Sequence, residues 1–197
     1  MAIADYGAGN IRSLCAALER AGAATEVTRD RERVREAPLV VVAGVGHLAN
    51  AARGLEETGV ADALRGRAAG SRPLFGICVG MQLLFEESED GGSGLGLLRG
   101  PVRRLRARRV PHMGWNELRV CERSLTLSGL DGADLYFAHS YACEPADAVT
   151  VGETDHDGRI VAAVEAGAVA GVQFHPERSG AAGARVLRDV LAWSRSA

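Results

Sequence analysis

Through the first half of the chain, short apolar runs alternate with segments of helix length, a rhythm that predicts βα units feeding a parallel sheet. Ile3 to Asp5 reads as the first strand. Ile11, Leu14, Cys15 and Leu18 then recur at helical spacing, which predicts an amphipathic helix capped near Asn10. Glu26 to Thr28, Leu39 to Val42 and Leu74 to Ile77 read as further strands, with helices expected over 49–57, 60–69 and 79–87. After that last helix the pattern changes. Asp90-Gly91-Gly92-Ser93-Gly94 has the composition of a loop, and shorter strands with turn signals follow. Strands at about 101–105, 114–120, 134–138, 149–154, 159–164 and 169–174 are expected to complete a mixed sheet, and 180–194 reads as a closing helix. The expected class is α/β, in one domain spanning 1–197.

Two places in this pattern carry chemistry. Gly76-Ile77-Cys78-Val79-Gly80 follows an apolar run and opens a helix. Small residues two positions either side of Cys78 let the chain turn sharply enough to lift the sulfur clear, as in the serine version of this elbow. The first turn of a helix, with its free N–H groups, favours a thiolate over a thiol. Far downstream, Gly171-Val172-Gln173-Phe174-His175-Pro176-Glu177 brings an imidazole out of a strand beside a carboxylate, with the proline ending the strand. Cys78, His175 and Glu177 therefore read as nucleophile, base and orienting acid. Taken singly, a cysteine after an apolar run is more often a packed small hydrophobe, and a histidine near a carboxylate more often structural. Two such motifs on one chain, each after a strand, make the coincidence far less plausible than the triad.

Composition narrows the class. With 197 residues, 47% of them hydrophobic, and a mean hydropathy of −0.01, the chain is long enough for one well-filled core and has an ordinary balance of apolar residues. A net charge of −2 gives no general attraction to nucleic acid or anionic membrane. The cysteines at 15, 78, 121 and 143 show no Cys-x-x-Cys spacing and no zinc-like pairing with the histidines, so no metal is expected. No basic leader or long apolar stretch is seen at the start, which points to the reducing cytoplasm and suits a free catalytic thiol. All 23 cationic residues are arginine, and Arg99, Arg103, Arg104, Arg106, Arg108 and Arg109 form a basic stretch. Aromatic residues able to stack bases are missing there, so a solvated or partner-facing surface is the better reading. Asp5-Tyr6-Gly7-Ala8-Gly9-Asn10 lacks the spacing of a phosphate loop and reads as a tight turn presenting Asn10.

These residues resemble the class I glutamine amidotransferases with their Cys-His-Glu triad. Within them, the chain is similar nearly end to end to the branch of glutaminase subunits that serve imidazole glycerol phosphate synthase in histidine biosynthesis. Besides the triad, the resemblance rests on Asp5 to Asn10, Gly44-Val45-Gly46, Pro111-His112-Met113-Gly114-Trp115-Asn116 and Tyr136-Phe137-Ala138-His139-Ser140-Tyr141. Pro111 to Asn116 is the most branch-specific segment. The resemblance implies a flavodoxin-like three-layer sandwich with a largely parallel central sheet and a smaller antiparallel portion. It implies hydrolysis of L-glutamine without a cofactor, and transfer of the ammonia to a (β/α)8 cyclase subunit that makes imidazole glycerol phosphate and AICAR. Neither nucleic acid nor membrane has a part in it.

Carried over residue by residue, Gly46 and the backbone N–H of Val79 form the oxyanion hole. Gln82 contacts glutamine, and Asp90, Ser140 and Tyr141 hold its polar end. Asn10, Trp115, Tyr136 and Arg178 meet the cyclase. The chain departs from the family at Ala43, where a proline is usual, at Asp90, where a longer glutamate is common, and at Arg178, where lysine is usual. Two rivals stay open: an amidotransferase serving another acceptor, and an interaction subunit without catalysis.

Overall fold

The computed structural model describes residues 1–7 and 10–196, so Ala8 and Gly9 of the expected tight turn lie outside the described residues. The first half runs β1 (Ala2–Ala4), α1 (Ile11–Arg20), β2 (Glu26–Thr28), α2 (Arg31–Glu36), β3 (Val40–Gly44), α3 (Leu48–Thr58), α4 (Val60–Ala69), β4 (Leu74–Cys78) and the short α5 (Val79–Gln82). The second half runs β5 (Val102–Arg104), β6 (His112–Glu117), β7 (Arg119–Val120), β8 (Asp134–His139), β9 (Tyr141–Cys143), β10 (Thr150–Asp155), β11 (Arg159–Ala166), β12 (Val169–Val172) and α6 (Gly180–Trp193).

An eight-stranded sheet has the order β2-β1-β3-β4-β12-β11-β10-β7. From β2 to β12 neighbouring strands are parallel, and from β12 to β7 they are antiparallel. The order reverses at β1, so right-handed crossovers send α1 to one face and α2, α3 and α4 to the other. The packing agrees, with α1 against α6, and α4 against α2 and α3. Leu14, Ala17 and Leu18 form the buried stripe of α1, and Val186, Leu187, Val190 and Leu191 that of α6. Between the layers, Val40, Val41, Val42, Leu74, Phe75 and Val172 are fully buried, as β-branched and large apolar residues are when both faces of a parallel sheet are covered. Among the described residues, no helix is long and apolar enough to cross a membrane.

Three expectations need correction. The helix expected over 79–87 stops at Gln82. Leu83, Leu84 and Phe85 are all fully buried, so this stretch has no wet face, and their carbonyls accept from the amides of Leu95, Leu97, Leu98 and Gly96 in the following loop. Tertiary partners outbid the next helical turn. The second-half strands do not all complete one sheet: β5 pairs with β9, and β6 with β8, in separate two-stranded ribbons. The strand expected over 114–120 divides at Leu118, before which the chain pairs with β8 and after which it pairs with β10. Helix α2 was not expected, although its signal is readable: Asp30 caps it, its Oδ1 accepting from the amides of Glu32 at 2.8 Å and Arg33 at 3.2 Å. The same is true of β9, a short strand hidden by its closeness to β8.

Candidate active site

Neighbouring strands β3, β4 and β12 point their C-terminal ends the same way, which gathers Gly46, Cys78 and His175 although they are far apart in sequence. In open parallel sheets this is the edge at which ligand crevices form. Cys78 is both the last residue of β4 and the residue before α5, with φ +54° and ψ −111°, a conformation that L-residues rarely adopt. The flanking glycines make the turn possible. A Cβ at Gly76 would lie 2.5 Å from the Gly80 carbonyl oxygen, and one at Gly80 would collide with the carbonyl of Val42. The elbow read from the sequence is thus a steric requirement on both sides.

His175 follows β12 and precedes a 3-10 turn, Pro176–Arg178. Its backbone is locked to β8, with its N–H donating to the Tyr136 carbonyl at 2.8 Å. The Ser179 hydroxyl completes the lock by donating to the His175 carbonyl at 2.7 Å while accepting from the Tyr136 amide at 2.9 Å. The ring pairs through Nδ1 with Glu177 Oε1 at 2.9 Å, both side chains being almost wholly buried. Burial alone would lower the pKa of His175. Hydrogen bonds to Cys78 and Glu177, with the charges of both, more than offset it and raise the ring to about 10. An imidazolium held beside the sulfur is the partner a thiolate needs.

The sulfur is 2% exposed as a residue, but it is not sealed in hydrocarbon. Cys78 lines a cavity of about 190 Å³ together with Gly46, His47, Val79, Gln82, Ser140 and Tyr141. That is smaller than the ~300–1,000 Å³ of sites for drug-sized molecules and suits a small polar metabolite. Gly46 has φ +91°, open to glycine and hostile to other residues. Three residues earlier, near the C-terminal end of β3, the Tyr6 hydroxyl donates to the Ala43 carbonyl at 2.8 Å. Burial, reinforced by the charge of Cys78, pushes the phenol above its ordinary range, so Tyr6 stays a donor.

Gln82 is nearly fully buried and its amide nitrogen is already engaged by the Tyr141 carbonyl at 2.9 Å and by Gln173 at 3.0 Å, which leaves its oxygen for a ligand. Asp90 lies one layer back, its carboxylate accepting from the amides of Gly92 at 3.2 Å and, at the start of α3, Ala49 at 3.4 Å. His47, with Nδ1 3.7 Å from Asp90, stands between that carboxylate and the cavity it lines. Trp115, Tyr136 and Arg178 form one surface cluster, with Trp115 and Arg178 exposed and Tyr136 half-buried: the guanidinium lies 4.2 Å above the Tyr136 ring, and Trp115 meets that ring edge-on at 6.1 Å. Asn10 is exposed at the head of α1, which packs on the 3-10 turn carrying Arg178. Met113, which lines the cavity mouth, is 65% exposed and Trp115 58%.

Three of the six arginines of the basic stretch are paired locally, Arg103 with Glu89 and Glu144, Arg108 with Asp157, and Arg99 with Asp147. No cluster able to hold a metal ion is found among the described residues. Sequence reasoning missed Tyr6, His47, His112, His139 and Gln173. Gln173 had a signal, being a polar residue within an apolar run that the structure buries completely.

Burial, with a smaller contribution from neighbouring histidines, lowers the pKa of His112 to about 4 and that of His139 to about 3. Because both lie below the unfolded value of about 6.5, the stabilisation from keeping these rings neutral is complete above pH 6.5 and is lost as pH falls toward 3–4. At pH 5 each ring costs roughly 2 kcal/mol. His175 acts at the other end of the scale, its contribution being complete below pH 6.5 and lost as pH rises through 10. Calorimetry is therefore expected to show a thermal midpoint on the order of 10 °C lower at pH 5 than at pH 7. A midpoint unchanged over that interval would mean that the two rings reach water.

The fold and the triad together define an amidotransferase, and residues 2–192 match the family Glutamine amidotransferase class-I, to which this chain belongs. Among proteins of that family it is 44% identical to the imidazole glycerol phosphate synthase subunit HisH of Bacillus cereus (strain G9842), over 100% of this chain and 98% of that one. The protein of the same name from Geobacillus kaustophilus is 43% identical, over 96% and 94%, and that from Methanothermobacter thermautotrophicus 42%, over 97% and 97%. Among solved structures, a crystal structure of glutamine amidotransferase superposes with a TM-score of 0.80 at 22% identity, covering 98% of each chain. PurLQS from Thermotoga maritima gives 0.75 at 23%, covering 98% and 97%. These two show the same fold.

Proposed function

We propose that this chain is the glutaminase subunit of an imidazole glycerol phosphate synthase, acting as a single domain in the cytoplasm. The observation that carries the reading is the convergence of Cys78, His175 and Glu177 at the C-terminal edge of the sheet, with Cys78 lining a small cavity there. The Cys78 thiolate attacks the side-chain amide carbon of glutamine, forming an S–C bond. Negative charge on the carbonyl oxygen is met by N–H groups at Gly46 and Val79. His175 gives its proton to the amide nitrogen as the C–N bond breaks, and ammonia leaves. Water then attacks the thioester carbon as His175 takes its proton, the S–C bond breaks, glutamate is released and the thiolate–imidazolium pair is restored. Glu177 keeps the ring oriented and balances its charge throughout. Gln82, Asp90, Ser140 and Tyr141 are assigned to holding glutamine, with His47 carrying the influence of Asp90 to the cavity.

Ammonia released into water at neutral pH is protonated and ceases to be a nucleophile, so the product needs a second site shielded from solvent. The surface cluster of Trp115, Tyr136 and Arg178, with Met113 at the cavity mouth and Asn10 nearby, supports a partner seated over this face. That partner is assigned as the (β/α)8 cyclase subunit. Glutamate release measured with and without a cyclase and its nucleotide tests both halves. Release is expected in both cases, rising by roughly 10²–10³ with the loaded cyclase if docking completes an oxyanion donor. No release under either condition would remove the glutaminase reading, and equal release in both would remove the partner.

A further inference from the structure

A line of buried amides ends on the nucleophile. Gln173 is fully buried, donates through Nε2 toward the Cys78 sulfur at 3.6 Å, and accepts through Oε1 from Gln82 Nε2 at 3.0 Å. The second hydrogen of Gln82 Nε2 goes to the Tyr141 carbonyl at 2.9 Å. The two ends of a carboxamide have nearly the same shape, so only the chemistry of its neighbours decides which end points where. A backbone carbonyl can only accept. Tyr141 therefore holds the nitrogen end of Gln82, that nitrogen holds the oxygen end of Gln173, and Gln173 has its N–H end left for the sulfur.

The same carbonyl orders a second arm. It accepts from His139 Nδ1 at 2.8 Å, which leaves His139 Nε2 to accept from His112 Nδ1 at 2.9 Å, and His112 Nε2 to accept from Asn116 Nδ2 at 3.0 Å. Asn116 gives its other hydrogen to the Asp155 carbonyl at 2.7 Å and accepts from the Glu117 amide at 2.9 Å. With both rings neutral, every polar side-chain atom on this arm has a partner. A fully satisfied buried network holds its members in one arrangement.

We propose that Gln173 belongs to the nucleophile's site as an N–H donor to the Cys78 sulfur, with its polarity dictated by the Tyr141 carbonyl two hydrogen bonds away. A donor aimed at the sulfur stabilises thiolate relative to thiol, adding to what His175 supplies. The other titratable groups around the sulfur are Glu177 behind His175, His47, His139 and Tyr141 on the wall of the same cavity, and Tyr6 and Cys143, both shifted upward in part by its charge. Asn116, His112 and His139 act through Tyr141 and are positioning residues. The inference rests on the reading of Cys78 as nucleophile.

The test is the rate of alkylation of Cys78 by iodoacetamide across pH in the full chain, followed at the Cys78 peptide by mass spectrometry. Gln173→Met removes the donor, and is expected to raise the midpoint of the rate profile by about one pH unit, which slows alkylation about tenfold at pH values below the parental midpoint. Gln173→Glu keeps the acceptor toward Gln82 and turns an acceptor on the sulfur, so its shift is expected to be at least as large. Lost packing alone would not move that midpoint. Parental rates and midpoints in folded variants would overturn the proposal. Should neither variant give the parental circular dichroism spectrum, Gln82→Met decides: it frees Gln173 to turn either end to the sulfur, and an unmoved midpoint there would overturn the proposal equally. Glutamine turnover plays no part in this readout, so a chain that alkylates as expected but releases no glutamate would remove the glutaminase reading alone.

Discussion

Replacing Cys78 by alanine is expected to reduce glutamate release by about 10⁴–10⁶-fold, because without the sulfur there is no thioester, and the remaining groups act as a unit built around it. The variant should still fold. Alanine keeps the Cβ and the same φ of +54°, so the strain of the elbow is unchanged, and the loss is that of one small buried atom with its long contacts to Gln173 and the Ala138 carbonyl and its pairing with His175. A change in stability of about 1 kcal/mol is expected. The imidazole provides an internal check: burial pulls its pKa down, and the hydrogen bond with Cys78 stands first among the effects that raise it, with the charge of Cys78 adding to it. In the alanine variant the His175 titration, followed by NMR, should therefore move down from about 10. Retained glutamate release, or a ring that titrates as in the parent, would show that the sulfur and the imidazole are not coupled.

The second large effect is on the fold. Gly80→Ala puts a methyl group into the carbonyl of Val42, in the middle of β3, where two parallel neighbours hold the backbone. Neither side can yield cheaply. A loss of about 3–5 kcal/mol is expected, with a fall in thermal midpoint of 10 °C or so. A control is available in α4, where a Cβ at Gly66 meets nothing within 4 Å. Gly66→Ala is expected to stabilise by roughly 0.5–1 kcal/mol through helix propensity and a less flexible unfolded chain. Opposite signs at the two glycines, read from urea or thermal unfolding, are the outcome that supports the steric account. Equal and small effects would mean that the elbow can open.

What could be read in advance follows from the range over which each feature is decided. The elbow was legible because its requirement is local: Gly76, Cys78 and Gly80 sit within one turn, and the clash each glycine avoids involves the turn itself or the strand beside it. The strand-His-Pro-Glu run was legible for the same reason. The parallel half of the sheet showed as buried apolar runs spaced by helices, whereas the second half did not show which strands would pair, since β6 and β7 are separated only by Leu118 and yet join different sheets. The length of α5 was hidden because loop amides at 95–98 claim its next carbonyls. Gln173 was hidden more deeply, its role resting on Gln82 and Cys78, 91 and 95 residues away. Sequence spacing can suggest that a polar residue is buried, but not which end of its amide faces a sulfur.

The two tryptophans occupy opposite settings, Trp193 at the end of α6 being 4% exposed and Trp115 on the face beside Tyr136 and Arg178 being 58% exposed. Indole emission from this protein is consequently two optical signals in one spectrum. The red, readily quenched component belongs to the surface where another subunit would sit, and the blue, protected component to the interior, so docking and unfolding can be followed separately in a single cuvette without attaching a dye.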